Sequence, residues 1–316
     1  MVHNIYTNLK HFSALPNHEV EKLPKQSAFR LYGGESIAFE TDGFLKYPSN
    51  IQSLTEYPLT KLARQVLGII GSYEIVTNKM IVELLGMLGI STDRDHVLKA
   101  CERLRKVGLT YSFRFINANT NEKVGGFVNI PSHFAYEALK AMGVSLSGQA
   151  SDYNVAIDPA TAKKRLATNQ VLVETLKRNA HAISRFDVCG KIVVSSTDGD
   201  RVAVKPSLQC ITSENETLIY EVVRREMFWR TTLEEKLLRY QALLQHWDSS
   251  ARPMPTLIFC CEDFEHAVEV HELMVKIGLD GFLTNDIMLI GSNYERHIYK
   301  VKQNGEPEFY RFQIGS

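Results

Sequence analysis

Residues 58–131 contain three amphipathic segments followed by two strand-like runs, and this order restricts the fold of the chain more than any other feature. Apolar residues recur at helical spacing in PLTKLARQVLGIIGSY, NKMIVELLGMLG and DRDHVLKACERLRKVG, which predicts three short helices. The runs LTYSFRFI and KVGGFVNI are separated by the turn-rich NANTNE, which predicts a β-hairpin. Helices and a hairpin in this order are typical of a winged helix-turn-helix domain.

The pattern along the chain divides it into three regions. Residues 1–55 have no clear period and are interpreted as an N-terminal extension, residues 56–148 as the winged helix-turn-helix domain, and residues 156–316 as a second domain. The Ser- and Gly-rich stretch VSLSGQASDYN, near residues 145–155, marks the boundary between the two domains.

The second domain has the predicted order helix, three strands, helix, strand. The helix covers 159–181, and the strands are KIVVSS, RVAVKP and TLIYEVV, followed by the helix TTLEEKLLRYQALLQHW and the strand TLIFCC. This order is the core of the restriction-endonuclease-like fold, and it predicts that Val193, Val204 and Ile219 are buried on neighbouring strands of one sheet. The predicted class of the whole chain is α+β.

The third helix of the first domain carries the strongest candidate site. Its apolar face would hold it on the domain, while basic and hydrogen-bonding groups on the opposite face suit phosphates and base edges of DNA. The predicted DNA-contacting side chains are Arg94, His96, Lys99, Arg103 and Lys106 on the helix, with Arg114 and Lys123 on the hairpin. The competing interpretation is an ordinary solvated, charged helix face.

A second candidate site is weaker. In the restriction-endonuclease-like fold an Asp ends the second strand and Glu-x-Lys lies on the third, where the carboxylates hold a divalent ion. Here Ser207 stands at the Asp position, Glu221 is in place, and Val223 stands at the Lys position; Lys236 on the next helix is a relocated candidate. The catalytic candidates are therefore Glu221 and Lys236, and the competing interpretation is that both are ordinary polar residues of the sheet edge and helix surface. No metal site and no cofactor is expected, and Mg²⁺ enters only if the chain is a nuclease.

Further basic residues could contact the DNA backbone or simply solubilise the surface. They are Lys163, Lys164, Arg165, Lys177, Arg178, Arg224, Arg225 and Arg230. His266 and His271 are spaced poorly for one metal ion and are predicted to be surface or partly buried side chains.

Composition and targeting signals limit the compartment and the partners. Lys and Arg number 36, as do Asp and Glu, which excludes a polycation that coats nucleic acid and favours self-association. The five cysteines, Cys101, Cys189, Cys210, Cys260 and Cys261, have no zinc or disulfide spacing and are interpreted as reduced, buried thiols. No signal peptide or membrane-spanning run is evident, so the expected location is the cytoplasm, without membrane contact.

The chain resembles the replication-relaxation family of plasmids and other mobile elements over roughly residues 58–262. VLKACERLRKVGLT is similar to that family's Arg-rich recognition helix ending in Leu-Arg-x-x-Gly-Leu. In the second domain, Pro206-Ser207, LIYEVV with Glu221, and Lys236 with Tyr240 four residues on are similar to the family's Pro-Asp, Glu-bearing strand and Lys-Tyr helix. One class of plasmid-mobilisation relaxases has a related architecture and needs the carboxylates and lysine, from which Ser207 and Val223 depart.

Three functional interpretations stay open. The first is a sequence-specific protein that binds double-stranded DNA of a plasmid or mobile element, in replication, mobilisation or transcriptional control, together with mobilisation or replication proteins. The second is a metal-dependent DNA-nicking relaxase or endonuclease that uses Glu221, Lys236 and a further acid such as Glu174 or Asp200; the missing Asp and Lys argue against it. The third is a protein-interaction component of a DNA-processing assembly.

Overall fold

The structure is a computed structural model that describes residues 12–14, 27, 29–40, 58–90, 93–144, 157–195, 201–290 and 298–312. The chain forms two compact units, Leu31–Asn169 (the first unit) and Met1–Arg30 with Gln170–Ser316 (the second unit). The sequence-predicted boundaries near residue 55 and at 148–156 lie outside the described residues.

The described residues form a mixture of helices and strands, as the predicted α+β class requires. The helices are α1 (Lys61–Tyr73), α2 (Asn78–Met87), α3 (Arg94–Lys106), α4 (His133–Ala141), α5 (Pro159–Asn179), α6 (Trp229–Gln245), α7 (Phe264–Ile277) and α8 (Asp286–Ile290). The strands are β1 (Phe12–Ala14), β2 (Ser36–Phe39), β3 (Val76–Thr77), β4 (Thr110–Ile116), β5 (Lys123–Pro131), β6 (Ile183–Val188), β7 (Ile192–Ser195), β8 (Arg201–Val204), β9 (Leu208–Thr212), β10 (Thr217–Val222), β11 (Thr256–Cys261), β12 (Phe282–Asn285), β13 (Ile298–Val301) and β14 (Pro307–Phe312).

Local sequence signals start the first three helices. Thr60, Thr77 and Asp93 each accept a hydrogen bond from the backbone N–H three residues on, which satisfies a donor that a helix start would leave unpaired. Most residues of the predicted apolar faces are buried, with Val66, Ile70, Ile81, Leu85, Val97 and Leu104 among the core side chains. The three predicted helices are confirmed, and Asp93 caps the start of α3.

A four-stranded sheet in the order β2-β4-β5-β3 completes the first unit. The predicted hairpin is confirmed as β4 and β5, which pair in antiparallel fashion with Tyr111 opposite Ile130. The short β3, between α1 and α2, pairs with β5 through Val76 and Asn129. The hairpin is therefore tied to the helical part of the unit by backbone hydrogen bonds.

The second unit is built on an eight-stranded sheet in the order β1-β14-β13-β12-β11-β10-β9-β6. The strands β10, β11 and β12 are parallel to one another, while β6, β9 and β10 are antiparallel neighbours. Every residue of β10 and β11 is buried, as expected for central parallel strands covered on both faces.

The strand assignment in the second half is wrong for two segments. KIVVSS and RVAVKP form a separate two-stranded sheet, β7-β8, and Val193 is 46% exposed instead of buried. Val204 and Ile219 are buried, but on different sheets. In the main sheet, the unpredicted β9 is the neighbour of β10, and the unpredicted β6 is the neighbour of β9. The chain order of the main-sheet strands and their helices is therefore α5-β6-β9-β10-α6-β11. The two flanking helices, predicted at 159–181 and over TTLEEKLLRYQALLQHW, are confirmed by α5 and α6.

The cysteines of the described residues are free thiols. Cys101, Cys210, Cys260 and Cys261 are buried, as predicted, and Cys189 is half-buried. Burial raises the pKa of Cys210 to about 12, so this thiol stays protonated and unreactive near neutral pH. None of the described helices combines the length and hydrophobicity needed to cross a bilayer.

Candidate functional site

Helix α3 presents one apolar and one charged face. Val97, Ala100, Cys101 and Leu104 are buried, and they hold the helix against α1 and α2. The predicted DNA-contacting side chains Arg94, His96, Lys99 and Arg103 are all exposed, and Lys106 is half-buried. The charged face therefore lies where a nucleic acid could reach it.

The cations of α3 differ in how strongly the protein already holds them. His96 lies 3.0 Å from Asp93, and Lys106 lies 2.8 Å from Glu102. The Arg103 guanidinium donates to the backbone carbonyl of Pro58 at 2.9 Å, which orients it without neutralising its charge. Within the described part of the chain, Arg94 and Lys99 have no hydrogen-bond or ion-pair partner.

The two predicted hairpin contacts, Arg114 and Lys123, share one carboxylate. Both donate to Glu40 Oε1, at 2.9 Å each, and Arg114 also lies over the ring of Phe127, 4.8 Å from its centroid. The hydrogen bond from Lys123, followed by that from Arg114, holds the pKa of Glu40 below its usual value. No signal in the sequence pointed to Glu40, because it lies 74 residues before Arg114.

The residues of the second candidate site come together on neighbouring elements of the second unit. The Ser207 hydroxyl, just before β9, donates to Glu221 Oε1 at 3.2 Å and accepts from the Val222 backbone N–H at 3.0 Å. From α6, the Tyr240 hydroxyl donates to Glu221 Oε2 at 2.8 Å. Lys236 Nζ lies 2.6 Å from the same oxygen. The structure thus brings together Ser207, Glu221, Lys236 and Tyr240, which the motif and the family resemblance had singled out.

This arrangement satisfies the Glu221 carboxylate from within the protein. The Glu221 side chain is only 3% exposed, and two hydroxyl donors and one ammonium surround it. Burial and the adjacent carboxylate raise the pKa of Tyr240 well above its usual value, so its hydroxyl stays protonated. Tyr240 therefore acts as a hydrogen-bond donor and is unsuited to act as a nucleophile.

The donor set does not fit Mg²⁺. A magnesium ion is held by carboxylate oxygens and keeps several of its waters, whereas this site has one carboxylate whose charge is balanced by Lys236. Ser207 supplies a neutral hydroxyl at the position of the second carboxylate. Among the described residues, no group of three or more His, Cys, Asp and Glu side chains is placed to hold a metal ion.

Most of the other basic residues singled out in the sequence are paired with carboxylates. The pairs are Lys163–Glu35 at 2.6 Å, Arg165–Glu74 at 3.2 Å, Arg178–Glu174 at 2.8 Å, Arg225–Asp263 at 2.9 Å, Arg225–Glu269 at 2.8 Å, and Arg230–Glu269. The carboxylate of each pair offsets the positive charge of its partner and repels a phosphate. These residues are therefore poor candidates for contacts with the DNA backbone.

The prediction that Arg224 contacts the DNA backbone or solubilises the surface is wrong, because this side chain lies in a buried polar cluster of the second unit. Arg224 is 1% exposed, and its guanidinium lies 2.8 Å from Asp286 Oδ1. The Ser27 hydroxyl donates to the other Asp286 oxygen, and Cys260 Sγ lies 3.6 Å from Oδ1. We refer to Arg224, Asp286, Ser27 and Cys260 as the Arg224 cluster. Its members lie far apart in the chain, so no local pattern could reveal it.

The prediction that His266 is a surface or partly buried histidine is wrong, because the side chain is fully buried. Its Nδ1 accepts a hydrogen bond from the Glu262 backbone N–H at 3.2 Å, and its ring meets Trp229 edge to face at 4.6 Å. Burial, together with the positive charges of Arg225 and Arg224, lowers the pKa of His266 to about 3. His266 is therefore a neutral core residue at physiological pH.

Comparison with known proteins gives few matches. No protein-family model matches the chain, and no curated protein matches its sequence. Among solved structures, the restriction endonuclease FokI is similar over 72% of this chain and 42% of FokI, with 11% sequence identity and a TM-score of 0.26. The chain thus spans less than half the length of FokI, and a superposition this loose establishes neither a common fold nor a common activity.

Proposed function

We propose that the chain is a DNA-binding protein in which α3 is the recognition helix of a winged helix-turn-helix unit. The observation that carries this proposal is the exposed face of α3, where Arg94, Lys99 and Arg103 have no carboxylate partner among the described residues. The buried apolar face fixes the helix to its unit, so its outward side chains are available for phosphates and base edges.

The second unit, in this proposal, is a restriction-endonuclease-like domain that has lost cleavage and serves for backbone contacts or protein contacts. The order α5-β6-β9-β10-α6-β11 and the meeting of Ser207, Glu221 and Lys236 support the domain type. The sequence resemblance supports a plasmid or mobile element as the source of the DNA. The role would be in replication, mobilisation or transcriptional control, with double-stranded DNA as the main partner.

Removing Lys99 and Arg103 together tests the assignment of α3. We expect Lys99→Ala/Arg103→Ala to weaken duplex binding by about 2–4 kcal/mol, since a good base contact contributes ~1–3 kcal/mol. Folding, measured by circular dichroism, should change little because both side chains are exposed. Lys140→Ala, which removes an exposed cation from α4, is the matched control. Equal affinities for the double variant and the parent would show that α3 does not bind DNA.

The DNA for this experiment is taken from the neighbourhood of the gene itself, with unrelated duplex as competitor. Gel shifts at several salt concentrations measure how steeply duplex affinity falls with salt. Phosphate contacts give a steep fall, whereas a protein-interaction module gives no salt-dependent duplex binding. We expect preference for a neighbouring site and a clear salt dependence.

A second candidate function is metal-dependent DNA nicking, favoured by the grouping of Ser207, Glu221 and Lys236. A single charge-balanced carboxylate is a poor magnesium ligand set, so we expect no nicking of supercoiled plasmid with Mg²⁺ or Mn²⁺. Nicking that disappears in Glu221→Ala would make this the first function. Nicking that persists in Glu221→Ala would indicate a contaminant or a different site.

A further inference from the structure

The two-stranded sheet β7-β8 has one face turned to the core of the second unit and one turned away from it. Ile192, Val194 and Val204 are buried in the cluster that includes Leu237 and Tyr240 of α6. The register pairs Ile192 with Val204 and Val193 with Ala203, so the residues between the buried ones share the outward face. We call this outward face the ribbon face.

The ribbon face carries basic side chains at both ends. Lys191 and Lys205 flank the Ile192–Val204 pair, and Arg201 is opposite Ser195 at the other end. All three are exposed. At about 3.3 Å per residue, Arg201 and Lys205 are separated by ~13 Å along β8. The backbone of one DNA strand has a phosphate about every 3.4 Å along the helix axis, so this spacing spans several phosphates.

A cleft of about 290 Å³ adjoins the ribbon face and adds two cations. Lys191 lines it together with Arg185 of β6 and Arg252 of the loop before β11, while Asp187 contributes one carboxylate. The Arg252 guanidinium lies 3.7 Å from the centroid of the Trp247 ring, which fixes its position without neutralising its charge. The cleft therefore continues the basic surface onto the main sheet.

The cations of this surface differ from the paired ones elsewhere in the second unit. The side chains of Arg185, Lys191, Arg201 and Lys205 form no hydrogen bond or ion pair with any of the residues described by the structure. Among the described residues, Asp187 contributes a carboxylate to the cleft. Asp248 lies near Arg252, and hydrogen bonds from Ser250, with a smaller contribution from the Arg252 charge, hold the pKa of Asp248 below its usual value. Cations remain in excess on the ribbon face and its cleft.

We propose that the ribbon face and its cleft bind the sugar-phosphate backbone of double-stranded DNA. The proposal rests on the DNA-binding function proposed above, and it assigns a second contact surface, distinct from α3. Exposed Lys and Arg side chains bind phosphates without regard to sequence. Val193, exposed between the cations, leaves the centre of the ribbon free of acidic groups.

The test compares two triple variants on a mixed-sequence duplex, so that only backbone binding is measured. Lys191→Ala/Arg201→Ala/Lys205→Ala removes the ribbon cations. The matched control, Arg239→Ala/Lys276→Ala/Lys302→Ala, removes three exposed cations elsewhere in the second unit. Each lost phosphate contact should lower the slope of log affinity against log salt by about 0.9, so we expect the ribbon variant to lose about 2–3 from the slope. The control should keep the parent slope.

The outcomes separate this inference from the proposed function. A ribbon variant with the parent slope would overturn the inference, and loss of binding in the Lys99/Arg103 variant would leave the proposed function standing. An equal loss of duplex affinity in the ribbon variant and in its control would show a general effect of net charge, and it would also overturn the inference about the ribbon face. A parent protein that binds no duplex would overturn both.

Discussion

Helix α3 of the first unit and the Glu221 site of the second unit both carry basic side chains on an apolar framework, but they use the charge in opposite ways. On α3, Arg94, Lys99 and Arg103 face solvent with no carboxylate partner among the described residues. At the Glu221 site, Lys236 lies 2.6 Å from a nearly buried carboxylate. One region keeps its positive charge available, and the other has neutralised it internally.

The difference shows how the environment of a cation decides its role. A buried charge loses hydration worth several kcal/mol and persists only if it is paired and hydrogen-bonded. An exposed cation adds little to stability, because solvent and salt screen its interactions. Residues such as Arg224 therefore hold the fold, while residues such as Lys99 can serve a ligand.

The largest effect is expected from the Arg224 cluster. Asp286→Ala leaves the fully buried Arg224 guanidinium without its carboxylate, and removing one member of a buried pair costs about 3–5 kcal/mol. Urea unfolding at neutral pH measures the loss. Lys276→Ala, which breaks an exposed pair with Glu234, should cost at most about 1 kcal/mol. Similar losses in the two variants would remove the contrast between buried and exposed cations.

Lys236→Met should cost less, about 1–3 kcal/mol, because Glu221 keeps its two hydroxyl donors and Lys236 is 25% exposed. Adding Glu221→Gln removes the uncompensated charge and should restore part of the loss. The double-mutant cycle, measured by urea unfolding, gives the coupling of the pair. Independent, additive effects of the two substitutions would mean that Lys236 does not stabilise Glu221.

Local signals explain why the helices could be predicted from the sequence. The periodicity of α1, α2 and α3, together with nearby caps such as Thr60 and Thr77, determines each helix from a few adjacent residues. The strands were harder to assign to a sheet. The apolar residues of KIVVSS predict a buried strand, but they do not distinguish a strand of the main sheet from a strand of a separate sheet that packs on α6. The edge strand β6 has three exposed central residues, so its hydrophobic signal is weak.

The candidate sites show the same division between local and distant information. The helical periodicity of α3 placed its cations correctly on the exposed side. A known motif grouped Ser207, Glu221 and Lys236. The ion pair of Arg114 and Lys123 with Glu40, and that of Arg224 with Asp286, join distant parts of the chain. Such pairs depend on the tertiary fold, so their effect on available charge could not be predicted.

Buried His266 gives a pH-dependent test of the second unit. The pKa of His266 is about 3 in the folded protein, against an ordinary value of 6.5 for a histidine that is not buried. As the pH falls, this histidine is therefore protonated first in the unfolded chain. This histidine should therefore leave stability unchanged above pH 6.5 and lower it by about 1.4 kcal/mol per pH unit below that value. Urea unfolding between neutral and mildly acidic pH should show a shallower loss in His266→Phe.

Met274→Leu, which changes a fully buried side chain of the same unit that carries no titratable group, is the control for that experiment. The slope of stability against pH should match the parent in this variant. An unchanged slope in His266→Phe would show that His266 takes up its proton in the folded state.

The smallest expected effect concerns Glu40. Because Arg114 and Lys123 both pair with this carboxylate, they resemble the paired cations of the second unit rather than the exposed cations of α3. Glu40→Gln removes the charge that both cations share. We expect a stability loss of at most about 1 kcal/mol, because Lys123 is exposed and Arg114 keeps its contact with Phe127.

Duplex affinity should rise on the order of threefold to tenfold in Glu40→Gln, because two hairpin cations regain charge that phosphates can use. The rise should disappear when Arg114→Ala and Lys123→Ala are added, which separates it from a general loss of negative charge. Glu122→Gln, at an exposed position of the same hairpin loop, is the matched control and should leave affinity close to that of the parent. If Glu40→Gln binds duplex as the parent does, Arg114 and Lys123 serve only to hold β2 against the hairpin, and α3 alone supplies the DNA contacts of the first unit.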